Sequence, residues 1–79
     1  MNFATYYIIK GKSKEDDKYR ELYRCFITTN TDFRNVFELY TQYLWSCIDE
    51  FSKIDLWVEY EDGACFLDYS TELFYPHKR

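Results

Sequence analysis

The strongest periodic pattern in the chain lies between residues 31 and 52. Apolar or thiol side chains recur there at intervals of three and four residues, at Phe33, Val36, Phe37, Tyr40, Leu44, Cys47, Ile48 and Phe51. On a helical wheel these positions share one side and polar residues occupy the other, so the spacing predicts an amphipathic helix over 31–52. Asn30, Thr31 and Asp32 offer side-chain oxygens that suit the capping of its first turn.

Residues 54–70 follow a period of two and predict a β-hairpin. In its first strand, apolar residues alternate with polar or aromatic ones. The apolar positions are Ile54, Leu56, Val58 and Tyr60. Asp62-Gly63 suits a two-residue type I′ turn. A turn of that length fixes three opposing pairs across the hairpin: Tyr60 with Cys65, Val58 with Leu67, and Leu56 with Tyr69. These side chains would form the apolar face that the helix covers.

The same register turns two large rings away from the helix. It places Trp57 opposite Asp68 and Glu59 opposite Phe66, so both rings share the outward face with Asp55, Glu59 and Asp68. One sheet with one helix leaves that face uncovered. Exposed aromatic side chains bordered by charge are typical of protein-binding sites, because the rings supply desolvated area and the charges orient the encounter.

The helix repeats this combination of a large ring and acidic side chains outside the core. Trp45 lies outside the apolar stripe, beside Glu38 and Asp49. We therefore predict that a partner protein contacts Trp57, Phe66, Asp55, Glu59, Asp68, Trp45, Glu38 and Asp49. Two other interpretations of the outward rings stay open. The C-terminal tail or the N-terminal hairpin could cover them, or two copies of the chain could stack sheet to sheet as a homodimer.

The N-terminal part of the chain admits two interpretations. Phe3 to Ile9 is rich in Tyr and Ile and predicts a strand, and a charged loop follows over 11–18. Residues 18–29 fit a helix that Ser13 caps. They fit a strand better, because the run has β character and a hairpin partner would complete the hydrogen bonds of the first strand. In the strand interpretation Glu21 is out of place on the face that holds Tyr19, Tyr23, Cys25 and Ile27.

Together these elements predict an α+β fold with the order ββαββ. We expect a four-stranded antiparallel sheet with one helix packed on one face. A β-α-α-β-β arrangement is the alternative if the second segment is helical. The single domain, residues 1–79, divides into an N-terminal hairpin 2–29, a helix 31–52, a C-terminal hairpin 54–70 and a tail 71–79.

Composition explains how so short a chain can build a core. Its 79 residues include nine Tyr, seven Phe and two Trp, and each large ring buries roughly 150–250 Å². No apolar run reaches the roughly 18 residues that a membrane helix needs, and no signal peptide is recognisable. The three cysteines, Cys25, Cys47 and Cys65, are an odd number without paired spacing, which favours reduced thiols. We expect a cytoplasmic protein that does not bind membranes.

The charge is unevenly distributed along the chain. The net charge is −4, and residues 49–72 hold eight acids with Lys53 as their one basic residue. This balance disfavours direct binding of nucleic acid and favours a protein partner with a basic surface. The same acids could instead serve only to keep an aromatic-rich chain in solution.

Candidate catalytic and metal-binding groups are sparse. His77 lies two residues from the C-terminal residue, where little would hold it as a general base. Cys47 and Cys65 are expected in the core, without a basic neighbour to lower their pKa. The cysteines with His77 lack the paired spacing of zinc sites, and EF-hand spacing is absent around Glu59, Glu61, Asp62 and Asp68. We expect a protein without enzymatic activity that needs no cofactor or metal.

In size, acidity, aromatic content and compact α/β plan, the chain resembles the small proteins that bacteriophages encode to disable host systems. Anti-CRISPR proteins and DNA-mimic inhibitors belong to that group. The resemblance implies a stoichiometric inhibitor that blocks a host nucleic-acid-binding or defence protein in the host cytoplasm, with carboxylates standing where DNA phosphates would lie. Two alternatives remain: an antitoxin-like accessory or regulatory subunit that uses an apolar open sheet face, and a homodimeric structural module.

Overall fold

The computed structural model describes residues 3–73 and has the element order ββαββ. The elements are β1 (Ala4–Ser13), β2 (Tyr19–Phe26), α1 (Phe33–Ser46), β3 (Phe51–Tyr60) and β4 (Cys65–Glu72). The strands form one antiparallel sheet in the spatial order β2-β1-β3-β4, and α1 packs on one face. The predicted fold class is confirmed, and the second segment is a strand. Most of the predicted tail, including His77, lies outside the described residues.

α1 is shorter than the predicted helix. It begins after Asp32, whose side chain accepts a hydrogen bond from the backbone N–H of Arg34 at 3.0 Å. A turn over 47–50 follows it, and the N–H of Phe51 donates to the carbonyl of Cys47 at 3.0 Å where β3 begins. Phe51 is buried, and Cys47 packs against the core as predicted. The apolar pattern therefore continued past the helix because the turn and the next strand face the same core.

The core lies between α1 and the central strands β1 and β3. Its buried apolar side chains are Ile9, Val36, Tyr40, Phe51, Ile54 and Leu56. Tyr40 joins helix to sheet, because its hydroxyl donates to the carbonyl of Ile54 at 2.9 Å and lies 2.8 Å from Oγ1 of Thr71. Burial raises the pKa of the Tyr40 phenol, so the fold favours the neutral hydroxyl that makes these contacts.

β1 runs past its predicted end at Ile9 and takes in the first residues of the charged loop. The N–H of Ser13 donates to the carbonyl of Lys18 at 2.9 Å, which closes a tight turn. Asp17 adopts a left-handed φ of 61° in that turn, a conformation that Asp tolerates better than most residues. The connection between the first two strands is therefore shorter than the predicted loop over 11–18.

A β-bulge in β2 explains why Glu21 did not fit the predicted strand. Ile9 pairs with Tyr23 and Lys10 pairs with Glu21, so Leu22 is the extra residue. A bulge reverses the alternation of side chains on its two sides. Consequently Tyr23 lies on the helix side of the sheet, whereas Glu21 lies on the opposite side.

The turn between β3 and β4 contains three residues rather than two. The N–H of Gly63 donates to the carbonyl of Tyr60 at 2.9 Å, and the N–H of Tyr60 donates to Ala64 at 2.8 Å. Gly63 has a φ of 89°, so the loop is a type I turn followed by a left-handed glycine. The observed pairs are Glu59 with Cys65, Val58 with Phe66, and Trp57 with Leu67.

This turn overturns most of the predicted register of the hairpin. Cys65 does not oppose Tyr60, and Leu67 does not oppose Val58. A bulge at Asp68 then restores the alignment, so the predicted pair Leu56 with Tyr69 is confirmed. The extra residue in the turn shifts the pairing by one, and a one-residue shift moves every side chain to the other face of the sheet.

The backbone at Gly11 in β1 lies against the ring of Phe51. A Cβ atom at Gly11 would lie 2.6 Å from Cδ1 of Phe51. Both residues are buried. The ring therefore occupies the space that any larger residue at position 11 would need.

We predict that Gly11→Ala lowers the free energy of unfolding by about 1–3 kcal/mol, the usual effect of overpacking a core. Chemical denaturation followed by circular dichroism measures it. Phe51→Leu should make room, so the double variant should lose less than the sum of the two single losses. Gly63→Asn serves as a comparison, because an added Cβ there has open space and any loss reports the left-handed backbone at φ 89° rather than overpacking. Strict additivity of the Gly11 and Phe51 changes would contradict the proposed contact.

Candidate protein-binding site

The register assigns four cross-strand rows to the open face, which is the sheet face opposite α1. In the order β2, β1, β3, β4 these rows are Phe26–Tyr6–Glu59–Cys65, Arg24–Ile8–Trp57–Leu67, Glu21–Lys10–Asp55–Ser70 and Tyr19–Lys12–Lys53–Glu72. Acidic, basic and aromatic side chains therefore alternate across this face. The sequence predicted an acidic surface that bears aromatic rings, and it did not predict the basic side chains on this face.

Basic side chains cover the rings of the open face. Nζ of Lys10 lies 5.2 Å from the centroid of the Trp57 ring, and the Arg24 guanidinium lies 4.8 Å from that of Tyr6. Ile8, between Arg24 and Trp57 in its row, is only 1% exposed. The indole N–H of Trp57 is buried and has no hydrogen-bond partner among residues 3–73. The open face thus forms a second, smaller packed layer, and Trp57 belongs to it.

Two of the predicted partner contacts make their main interactions within the sheet. Asp55 is 2% exposed, and one of its oxygens accepts a hydrogen bond from Oγ of Ser70 at 2.7 Å. Glu59 lies 3.4 Å from Nη1 of Arg24. A side-chain hydrogen bond with Tyr19 and the negative charge of Asp55 raise the pKa of Lys53 on the same face. We therefore leave Asp55 and Glu59 out of the candidate surface.

Phe66 does not share a face with Trp57, so that prediction is wrong. Phe66 pairs with Val58, and its ring meets the edge of Tyr60 at a centroid distance of 5.6 Å on the helix side of the sheet. The three-residue turn is the cause, because it shifts every residue of β4 before the bulge to the opposite face. Phe66 is nevertheless 58% exposed.

Asp68 and Cys65 also differ from their predicted placements. Asp68 does not oppose Trp57. Burial, and then the negative charge of Asp68, raise the pKa of Tyr7. The Tyr7 ring packs on Phe33 of α1. Cys65 is exposed rather than in the core, and its Sγ lies 4.0 Å from an oxygen of Glu59 on the open face. Asp68 thus lies toward the helix side, while Cys65 lies on the other.

Exposed apolar side chains follow one outer edge of the sheet. Among residues 3–73, β4 pairs only with β3, and three of its side chains are exposed: Phe66 by 58%, Leu67 by 50% and Tyr69 by 44%. Trp45 of α1, 82% exposed, shares a groove with Leu73, which follows β4. We call Phe66, Leu67, Tyr69 and Trp45 the β4 band.

Acidic side chains border the β4 band. Glu61, Asp68 and Glu72 are exposed along β4 and its turn. Glu38 is exposed and lies seven residues before Trp45, which is close to two helical turns and puts both on one helix face. Asp49 instead lines a hollow with Lys14 and Arg20 near the turn between β1 and β2. Of the predicted contacts, Phe66 and Asp68 lie on β4, and Trp45 and Glu38 lie on one face of α1.

Sequence reasoning missed four members of this surface: Leu67, Tyr69, Glu61 and Glu72. The missed signal was the tripeptide Glu61-Asp62-Gly63, which fits a three-residue turn with glycine in the left-handed position as well as a two-residue turn. The three-residue turn places Leu67 on the open face, opposite the helix. Tyr69 pairs as predicted, but the rings of Phe33 and Phe37 leave it half-exposed at the sheet edge.

Within residues 3–73, no group of three or more His, Cys, Asp or Glu is arranged to hold a metal ion. No helix in the same part of the chain is long and apolar enough to cross a membrane. No protein-family model, curated protein or solved structure matches the chain. The exposed side chains of the β4 band and its acidic border are therefore the features that bear on function.

We predict different effects for the two aspartates that the sequence grouped together. Asp55→Ala should lower the free energy of unfolding by about 1.5–3 kcal/mol, because it removes a buried carboxylate that accepts a hydrogen bond from Ser70. Asp68→Ala, on an exposed side chain, should change it by less than about 0.5 kcal/mol. Thermal and urea denaturation of both variants measure the difference. Equal losses would contradict the assignment of Asp55 to the fold.

Proposed function

We propose that this chain is a non-catalytic inhibitor that binds a partner protein through the β4 band. In this proposal it is phage-encoded, acts in the host cytoplasm, and blocks the basic surface of a nucleic-acid-binding or defence protein. The observation that carries the proposal is the row of exposed apolar side chains along β4, bordered by acids. When the partner binds this row, its own contact surface is buried in the complex. Nucleic acid cannot bind to the partner at that surface while the complex lasts.

The composition of the β4 band supports a protein as the partner. Protein interfaces combine a desolvated centre rich in aromatic residues with a polar rim. Phe66, Tyr69 and Trp45 supply rings, and Leu67 adds aliphatic area. Exposed aromatic side chains that lie close together and are rimmed by polar residues are typical of protein-binding sites.

The charge along β4 supports a basic partner. Residues 54–73 contain six acids and no Lys or Arg. Two of those acids, Asp55 and Glu59, are engaged within the sheet. The others lie on β4 and its turn, where their field would speed the approach of Lys and Arg side chains. Such association weakens as salt rises.

The structure favours the β4 band over the open face as the binding surface. The open face holds equal numbers of acidic and basic side chains in its four rows. Lys10 and Arg24 already lie over its rings. A homodimer stacked through that face, or an accessory subunit that used it, would have to displace these cations. The accessory-subunit and homodimer alternatives are accordingly less well supported.

We predict that Glu61→Lys, Asp68→Lys and Glu72→Lys together slow association with the partner by about tenfold or more at low salt. The partner is first captured from bacterial lysate with immobilised wild-type protein, identified by mass spectrometry, and purified. Surface plasmon resonance at two salt concentrations then gives the association rates.

A matched control carries the same change of charge on exposed acids outside the border of the β4 band. Glu15→Lys, Asp49→Lys and Glu50→Lys alter acids near the turn between β1 and β2 and the start of β3. This control should retain most of the wild-type rate. Equal rates for both triple variants, or a complex that tolerates high salt unchanged, would contradict the proposed acidic contact.

A further inference from the structure

We propose that the free edge of β4 binds an extended, basic segment of the partner as a fifth strand of the sheet. This inference rests on the proposed function, because it concerns how the partner meets the β4 band. Extended peptides that add to a sheet edge gain affinity from backbone hydrogen bonds and specificity from alternate side chains.

The hydrogen bonds of the β3–β4 ladder show which groups point outward. The N–H of Leu73 donates to Ser52, and that of Tyr60 donates to Ala64, both at 2.8 Å. These bonds mark residues at each end of the ladder whose backbone N–H and C=O point toward the neighbouring strand. In an antiparallel pair such residues alternate with residues whose N–H and C=O point away from it. With the bulge at Asp68, the residues whose N–H and C=O point away from β3 are Cys65, Leu67, Ser70 and Glu72.

The two edges of the sheet are not equivalent. On β2, Arg20 pairs with Asp16 and Arg24 pairs with Glu21, each with a nitrogen–oxygen distance of 2.9 Å. Charged side chains of this kind protect a free edge from pairing with another chain. β4 exposes Phe66, Leu67 and Tyr69, whereas the exposed rings of β2, which are Tyr19, Tyr23 and Phe26, lie among these ion-paired residues. β4 is therefore the edge on which an added strand would bury apolar area without disturbing those ion pairs.

Side chains on both sides of β4 are available to an added strand. Phe66 and Tyr69 lie on the helix side, where their rings contact Tyr60 and Phe37. Leu67 lies on the open face. An added strand would direct alternate side chains to these two sides, so its apolar residues would find a surface on each.

Charge selects a basic segment rather than a second copy of this chain. Pairing of two β4 strands would bring Asp68 and Glu72 of one copy close to the same acids of the other, and like charges across a strand pair are destabilising. A segment that alternates Lys or Arg with β-branched residues can direct its cations to the open face, near Glu72, and its β-branched side chains to the helix side, near Phe66 and Tyr69. The bulge at Asp68 divides the edge, so the segment pairs with Cys65 and Leu67 on one side of it and with Ser70 and Glu72 on the other.

The test uses amide hydrogen exchange of the ¹⁵N-labelled full chain, measured by NMR. The probe is a capped synthetic decapeptide that alternates Lys and Val, and a Glu-Val decapeptide is its control. We expect the Lys-Val peptide to slow exchange of the outward amides of Leu67, Ser70 and Glu72 by about tenfold or more. The outward amides of Arg24 and Phe26 on β2 serve as the internal reference and should not change.

A second variant tests the hydrogen bond itself. Cys65 allows native chemical ligation of residues 1–64 to a synthetic segment 65–79, so the amide N–H of Leu67 can be replaced by an ester oxygen. No bond within the sheet uses that N–H, but the ester also weakens the Phe66 carbonyl, which faces Val58. A small loss of thermal stability is therefore expected, and affinity is compared well below the melting temperature of both proteins. Affinity for the Lys-Val peptide should fall by about threefold to tenfold, the effect of losing one net hydrogen bond.

Three results would overturn the inference. They are protection of the β2 amides instead of those of β4, salt-dependent binding that the ester leaves unaffected, and no binding of the Lys-Val peptide. Each of these is compatible with a tenfold loss in the charge-reversal experiment on the captured partner, which tests the proposed function separately. Loss of that effect, with protection of β4 retained, would reject the proposed function alone.

Discussion

The length of the turn between β3 and β4 is the constraint on which the surface of this protein depends. With three residues in the turn, Leu67 and Cys65 lie on the open face and Phe66 lies on the helix side. The bulge at Asp68 then returns Tyr69 to the side of α1, where it packs on Phe37. The edge strand therefore exposes apolar side chains on both sides of the sheet, whereas the two-residue turn would have directed most of them toward the helix.

A second constraint is that one helix covers a sheet built from strands of up to ten residues. α1 buries one face, and Tyr40 connects it to β3 by a hydrogen bond. The other face is covered by its own long side chains, with Lys10 over Trp57 and Arg24 over Tyr6. Lys10 and Arg24 are thereby engaged in the fold, while Glu72 of β4 pairs across the sheet with Lys53. This distribution links the internal packing to the charge of the candidate binding surface.

The sequence predicted the number, type and order of elements because their periodic patterns are strong. It also predicted that Trp45 lies outside the core, since the helical wheel alone decides that position. It could not decide the hairpin register, because Asp62-Gly63 fits turns of two lengths. The end of α1 was missed because Cys47 and Phe51 face the core without being helical. The burial of Asp55 depends on Ser70, a neighbour that only the correct register identifies.

The β4 band exists only if the register of this hairpin is as described, and a nuclear Overhauser measurement on the free chain tests that most directly. Glu59 and Cys65 form a pair without mutual hydrogen bonds, in which the Cα atoms of an antiparallel sheet approach to about 4.5 Å. The account predicts a strong Hα–Hα contact between Glu59 and Cys65. Backbone contacts that instead pair Glu59 with Phe66 would mean a two-residue turn, would return Leu67 to the helix side, and would contradict the account.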